Sequence, residues 1–245
     1  MPGWPAGVEC RVYPTLDSTM AEAARQASGV AGPTWIMALR QTAARGRRGR
    51  QWVQPEGNFA ATLIWPSSAS VSERALRSFV AALALRDAFV AATDMPDTFQ
   101  LKWPNDVLLN GGKVAGILLE SNDAHLAIGF GVNLLAAPDP GMIETGAVPP
   151  ASLAEKTGYR LSPEQFLDHL APAYAAREAE FTTYGFQPIL NDWLAHAARL
   201  GQEIKVRTNA DKTMSGIFET VDKDGMLVLN TPIERLRIAA ADVFF

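Results

Sequence analysis

The 245-residue sequence holds one cysteine, Cys10, and three histidines, His125, His169 and His196. A single thiol excludes an internal disulfide, and no Cys/His spacing matches a zinc site. No apolar run reaches the roughly twenty residues that cross a bilayer, and the first thirty residues lack the apolar core of a secretory signal. A soluble cytoplasmic protein without membrane contact is the expectation. Positive charge is outweighed: 22 Lys+Arg against 26 Asp+Glu leave a formal net charge of −4. That balance argues against nucleic acid as the main partner, because backbone binding needs a broad positive surface. Internal repeats and low-complexity tracts are absent too. What remains is a globular composition, 48% hydrophobic, long enough for one large domain and a small one.

Against this acidic background, basic residues concentrate in one place. The run from Gln41 to Trp52, QTAARGRRGRQW, sets Arg45, Arg47, Arg48 and Arg50 among Gly46 and Gly49. Guanidinium forks on a backbone free to reach positive φ can close around phosphate or carboxylate oxygens, which arginine matches better than lysine's point charge does. Taken alone, such a run is more often a solvated loop or a nucleic-acid contact. Further on, Leu101 to Glu120 reads LKWPNDVLLNGGKVAGILLE. Asparagine followed by glycine is the strongest short hairpin signal, so the turn Asn110-Gly111-Gly112 aims Lys113 from the start of a rigid strand. Asp106 and Asn105 beside Lys102 supply a carboxylate and an amide able to hold magnesium and nucleotide together. Lys113 alone reads as one more surface lysine. Joined to KWPND, a glycine hairpin and an apolar strand, it has few purely structural explanations.

Elsewhere the chain alternates strand and helix. A short strand at residues 10–13 precedes a helix that opens at Asp17-Ser18-Thr19 and ends near Ala27, with Thr19 and Glu22 spaced as a capping box. Residues 34–41 read as a buried strand. Gln41 either terminates it or sets an amide on a pocket floor, and the arginine run that follows favours the pocket. Residues 58–65 form a strand and 72–93 a helix whose Leu76, Phe79, Val80 and Leu83 make a core stripe. Strands follow at 99–103, 107–109, 114–120 and 126–133, where Gly116, Gly129 and Gly131 permit close approach of a ligand or of another strand. Residues 136–150 read as loop. Ser152 with Glu155, and Ser162 with Pro163 and Gln165, announce helices; the second runs to about Tyr184, and residues 186–200 form another. From Gly201 the pattern alternates at 203–207, 213–221, 226–229 and 234–238, with turns at 209–212 and 222–225. Four or five short strands suggest a small barrel.

Asp17-STM, Gln41-TAARGRRGRQW, Gly57-NFAATLIW, Lys102-WPNDVLLNGGKVAGILLE and Gly129-FGVNL come in an order and spacing that resembles the biotin protein ligases over nearly the whole chain. The resemblance implies an α+β fold: a mixed β-sheet flanked by helices, of the class II synthetase-like biotin–lipoate ligase type, in residues 1–198, and an SH3-like β-barrel in residues 199–245. It implies that biotin and ATP, with magnesium, give biotinyl-adenylate, and that biotin passes to a lysine of the biotin carrier domain of acetyl-CoA carboxylase or a related carboxylase. By the same resemblance Ser18, Thr19, Met20, Gln41, Arg45, Gly46, Arg47, Lys113, Gly116 and Gly131 surround biotin. Arg48, Arg50, Trp52, Lys102, Asn105, Asp106 and Asn133 surround the nucleotide, with Asp106 on magnesium and Asn133 near adenine. Two positions depart from the family pattern. Met20 stands where asparagine is usual, which removes a polar contact, and Ala44 stands where glycine commonly precedes Arg-Gly-Arg, which restricts the loop.

Activating a carboxylate in this way leaves the protein little covalent work. Its task is to hold two mutually repelling anions together and neutralise the charge that grows at the α-phosphate. Lys113 and Arg47 are the expected catalytic pair, and closure of the arginine loop would exclude water. Ser18 and Thr19 lie too near the N-terminus for a preceding helix-turn-helix module of about sixty residues, so operator DNA is not an expected partner; a homodimer is compatible with the sequence. Two other readings compete. A lipoate or octanoate ligase or transferase shares the fold and the carrier-lysine chemistry, but the combination of KWPND with RGRRGR argues against it. A non-enzymatic nucleic-acid module would bind with steep salt dependence, and the acidic balance argues against that.

Overall fold

Seven strands, β1 (Glu9–Leu16), β2 (Thr34–Gln41), β3 (Phe59–Pro66), β4 (Phe99–Lys102), β5 (Asp106–Leu109), β6 (Gly112–Ser121) and β7 (His125–Val132), form one mixed sheet. Their order is β1-β2-β3-β7-β6-β5-β4. The protein is described by a computed structural model over residues 3–122, 124–139, 141, 146–208 and 213–245. β1 and β2 pair in parallel and the other neighbours antiparallel. Strand alternation divides the side chains between two coverings. On one face Trp35, Met37, Leu63, Ile128 and Phe130 join the main core, built with α2 (Val71–Thr93), α4 (Pro163–Tyr184) and α5 (Phe186–Ala195). On the other, Ile36 and Ile64 pack with Ala23 and Ala27, from and just beyond α1 (Thr19–Gln26). Of the expected stripe on α2, Phe79, Val80 and Leu83 are buried and Leu76 packs against them.

Local chemistry sets most boundaries. Asn110 and Gly111 have φ of 49° and 80°, the pair of positive values that a two-residue hairpin turn demands. Ser162 and Gln165 complete a capping box at the start of α4, and Ser152 caps the short α3 (Leu153–Thr157) through the Glu155 N–H. The expected box of Thr19 with Glu22 is corrected by one position. Ser18 is the extended residue whose hydroxyl faces Ala21 N at 3.5 Å, which frees the Thr19 side chain for other contacts. The last helix also stops short of residue 200. The carbonyl of His196 accepts from Leu101 N at 2.9 Å and Ala198 N donates to Leu101 O at 2.8 Å, so this backbone pairs with β4 instead of continuing α5.

The C-terminal strands β8 (Glu203–Arg207), β9 (Thr213–Val221), β10 (Leu227–Asn230), β11 (Arg235–Ile238) and β12 (Asp242–Phe244) form an antiparallel sheet ordered β11-β10-β9-β8-β12. Among the described residues no ladder joins its two ends. β12 was not legible in the sequence, and the turn expected at 209–212 lies outside the described residues. The turn at 222–225 is present, with Gly225 N donating to Asp222 O at 2.9 Å. Ile204, Phe218 and Leu229 belong to the same core as the large sheet, and Trp103 Nε1 donates to Gly225 O at 3.1 Å across the junction. No helix of the described residues is long and apolar enough to cross a membrane.

Candidate active site

Cross-strand register builds the floor of the site. Lys102 pairs with Asp106, Asp106 with Gly116, Gly116 with Gly131 and Gly131 with Ala60, so one row across the sheet carries a lysine, a carboxylate and two side-chain-free positions. Residues directly opposite share a face. The indole of Trp52 fills the space above the glycines: a Cβ on Gly131 would lie 2.6 Å from that ring, and one on Gly116 3.2 Å from it. Met20 does the same two residues along, its sulfur 3.0 Å from the position of a Cβ on Gly129. The glycines therefore admit two large side chains of this chain close to the sheet.

The arginine loop is itself a small hairpin. Gly46 N donates to Arg50 O at 2.7 Å and Trp52 N to Ala44 O at 3.0 Å, with the tip turned by Arg48 at φ 57° and Gly49 at φ 72°. Ala44 is buried in this arrangement. The loop's cations divide. Arg47 faces inward and reaches Asn105 Oδ1 at 3.3 Å, and burial pushes its guanidinium below the ordinary arginine value against the pull of Asp106 and Asp242. Arg48 and Arg50 instead meet Asp242 of β12 at 2.7 and 2.6 Å, and Arg207 meets the same oxygen at 3.2 Å. Burial pushes the Asp242 carboxyl up, but the hydrogen bonds from Arg50 and Arg207 outweigh it and leave the group below the usual carboxylate range. Arg45 pairs loosely with Glu120 at 3.4 Å on the exposed side.

Lys113 is held by its backbone: its N–H donates to Pro149 O at 2.8 Å and its carbonyl accepts from Ala151 N at 2.9 Å. Its ammonium stands 2.7 Å from Asp106 Oδ1, an ion pair outside hydrogen-bond geometry, and 5.6 Å above the Trp52 ring. Lys102 is 3.9 Å from the other Asp106 oxygen. Burial pushes its ammonium below the usual lysine value, partly countered by Asp106. One carboxylate thus sits between two lysines with Arg47 close by, a cluster with an excess of positive charge in partial burial.

At the other end the groups are neutral. Gln41 Oε1 accepts from Thr19 N at 2.8 Å and Thr19 Oγ1 at 3.2 Å, and Thr62 donates to the Thr19 hydroxyl at 2.9 Å. Asn133 lies back beside Lys113, buried with its amide engaged: its backbone N–H donates to Val114 O at 2.8 Å, Nδ2 donates to Ala151 O at 3.1 Å, and Oδ1 accepts from Asn58 at 3.4 Å. Of the residues expected at the site, Ser18, Thr19, Met20, Gln41, Arg45, Gly46, Arg47, Arg50, Trp52, Lys102, Asn105, Asp106, Lys113, Gly116, Gly131 and Asn133 line a single cavity of about 840 Å³, and Arg48 does not. Gln54, Asn58, Thr62 and Asp242 were missed. Asn58 and Thr62 stand in the Gly57-NFAATLIW stretch, which by itself assigns them no contact, and Gln54 and Asp242 stand in no motif; partners on other elements, Gln41, Asn133, Thr19 and the loop arginines, reveal them. Among the described residues no group of three or more His, Cys, Asp or Glu could hold a metal by itself.

A long cavity with a neutral polar end and a cationic end, laid on a mixed sheet, suits an elongated acid meeting a polyphosphate. Residues 12–133 match the Biotin/lipoate A/B protein ligase family, and residues 200–245 the Biotin protein ligase C terminal domain. Within that class the chain belongs to the biotin protein ligase family. It is 53% identical over 234 residues to a biotin--[acetyl-CoA-carboxylase] ligase of Paracoccus denitrificans, covering 94% of this chain and 97% of that one. It is 29% identical over 216 residues to the bifunctional ligase/repressor BirA of Bacillus subtilis, covering 86% and 65%. A biotin protein ligase from Aquifex aeolicus, solved in complex with biotin and ATP, shares the fold with a TM-score of 0.83 at 24% identity over 96% and 97% of the two chains.

Proposed function

We propose that the protein activates biotin with ATP as biotinyl-adenylate and transfers it to a lysine of a biotin carrier domain, such as that of acetyl-CoA carboxylase. The observation that carries this is the convergence of Arg47 and Lys113 on one cavity that also holds Lys102 and Asn105 at one end and Thr19 and Gln41 at the other. Ser18, Thr19 and Gln41 take the polar ring of biotin, Met20 packs beside it, and its valeryl chain runs along the Trp52 indole that lies on Gly116 and Gly131, toward Lys113. Lys113 and Arg47 hold the carboxylate and the α-phosphate against each other, and their fixed positive charge meets the negative charge that grows there. The carboxylate oxygen attacks phosphorus and pyrophosphate leaves. The carrier amine then attacks the acyl carbon and AMP leaves with the oxygen.

Arg50, Lys102 and Asn105 serve the nucleotide. Arg48 serves it through the pairing with Asp242, and Asn133 by fixing the backbone beside the cavity. Asp106 is the carboxylate that would meet magnesium arriving with the nucleotide, and as a single carboxylate it would hold the ion only together with the nucleotide. Magnesium there would draw charge from the phosphates. The residues divide the work at about position 199, with the large sheet holding both substrates and the C-terminal sheet supplying Asp242 to the loop. Incubating the protein with biotin, ATP and magnesium should give biotinyl-adenylate, detected by mass, and lipoate in place of biotin should give far less acyl-adenylate. Equal turnover of lipoate, or no adenylate with either acid, overturns the reading.

A further inference from the structure

Gln54 and Asn58 lie between the arginine loop and β3, outside the set that meets the substrates above. Gln41 is where they act. An amide side chain has one oxygen with two lone pairs and two N–H donors. The Gln41 oxygen takes both Thr19 donors, at 2.8 and 3.2 Å. One Gln41 N–H donates to Gln54 Oε1 at 2.9 Å. Gln54 is itself fixed, because its own Nε2 donates to Asn58 O at 3.0 Å. The Asn58 side chain then locks that backbone to the strand exit beyond β7, accepting from Leu135 N at 2.9 Å and donating to Ala136 O at 2.7 Å. Gln41 is thus gripped from Thr19 on one side and from Gln54 on the other, and among the described residues its second N–H has no partner at the cavity it lines.

We propose that Gln54 is a positioning residue for the ring end of the acid substrate: it holds the Gln41 carboxamide so that the spare N–H is presented to a carbonyl acceptor on that ring. The inference rests on the functional reading above. Thr19 alone sets which end of the amide is the acceptor. The second anchor fixes its plane, and a donor must be aimed to within a few tens of degrees to form a strong hydrogen bond.

The test uses the full chain carrying Gln54→Met, which keeps the length of the side chain and removes both hydrogen bonds. In biotin-dependent exchange of pyrophosphate into ATP, the KM for biotin should rise about five- to tenfold, the worth of one misaimed hydrogen bond. KM for ATP and kcat should stay within about twofold, the scatter expected when no interaction with the nucleotide is lost. In a Gln41→Met background the Gln54 substitution should add nothing, since residues acting through one contact are not additive. Equal rises in KM for biotin and for ATP, or penalties that multiply in the double variant, overturn the proposal. A second readout needs no substrate. In the ligand-free Gln54→Met protein, the side-chain ¹⁵N amide signal of Gln41 should shift and its order parameter fall; an unmoved signal overturns the positioning role whatever the protein acts on. An inactive wild-type protein would instead overturn the assignment to biotin.

Discussion

Lys113→Met separates what the hairpin lysine does for folding from what it does for chemistry. The substitution keeps an unbranched apolar stem and deletes the ammonium that stands 2.7 Å from Asp106. Asp106, with 12% of its side chain exposed, is then left with Lys102 at 3.9 Å. A fully buried pair broken this way costs several kcal/mol, but Lys113 keeps 31% exposure and water relieves part of the stranded charge. The expected loss is about 1–2 kcal/mol, or a Tm lowered by roughly 2–8 °C in a chain of this length. The chemical loss is larger. Removing one fixed charge or donor at the oxygen where charge develops costs about 10²–10³ in rate. Adding Asp106→Asn removes the stranded carboxylate, so at least half of the lost Tm should return while pyrophosphate exchange stays low or falls further. Thermal denaturation and the exchange assay, run on wild type and the two variants, decide it. A Lys113→Met enzyme within tenfold of wild type, or a double variant whose rate returns together with its Tm, would refute the reasoning.

Further outcomes follow from the same geometry. Gly131→Ala puts a methyl 2.6 Å from the Trp52 ring, and a rigid indole must leave, so a loss of about 1–3 kcal/mol should accompany a raised KM for ATP. Gly129→Ala presses on the flexible Met20 side chain, with Sδ at 3.0 and Cγ at 3.2 Å, and should cost visibly less by the same two measurements. Asp242→Asn removes the charge on which Arg48, Arg50 and Arg207 converge; their mutual repulsion should splay the loop and raise the KM for ATP several-fold, and a lowered KM would instead identify the carboxylate as a competitor of phosphate. Because the folded Asp242 carboxyl lies below its ordinary value, its stabilising contribution is complete above the ordinary aspartate value of about 4 and is lost as pH falls through the folded one; acid titration followed by denaturation should show this step in wild type and not in Asp242→Asn. Asn58→Ala strands the Leu135 and Ala136 N–H groups, both now bonded to a side chain that is 1% exposed, and should cost about 2–4 kcal/mol in denaturant unfolding.

What was legible in the sequence was what acts over a few residues. The Asn110-Gly111 turn needed no tertiary partner to declare itself, so the placement of Lys113 on a hairpin followed from dihedral preference alone. The strand of residues 34–41 was likewise plain, because residues 34–38 are buried on both faces and Trp35 to Leu39 read as a continuous apolar run. The cap falls at Ser18, one residue before the position that the Thr19–Glu22 spacing indicates, because serine caps at least as well as threonine. Only the pull of Gln41 and Thr62 on the Thr19 hydroxyl decides between them. The end of α5 depends on Leu101, almost a hundred residues earlier, and helical periodicity carries no trace of that. Asp242 is the sharpest case. A lone carboxylate in AADVFF belongs to no motif, and it becomes the anchor of the arginine loop because β12 pairs with β8 and carries it there. The glycines show the same limit from the other side: their spacing announced a close approach, yet it is the register of β6 against β7 that puts Gly116 opposite Gly131 and makes a bed wide enough for an indole. A motif therefore marks which side chains can do the chemistry, whereas the contacts that aim them come from elements the motif does not contain.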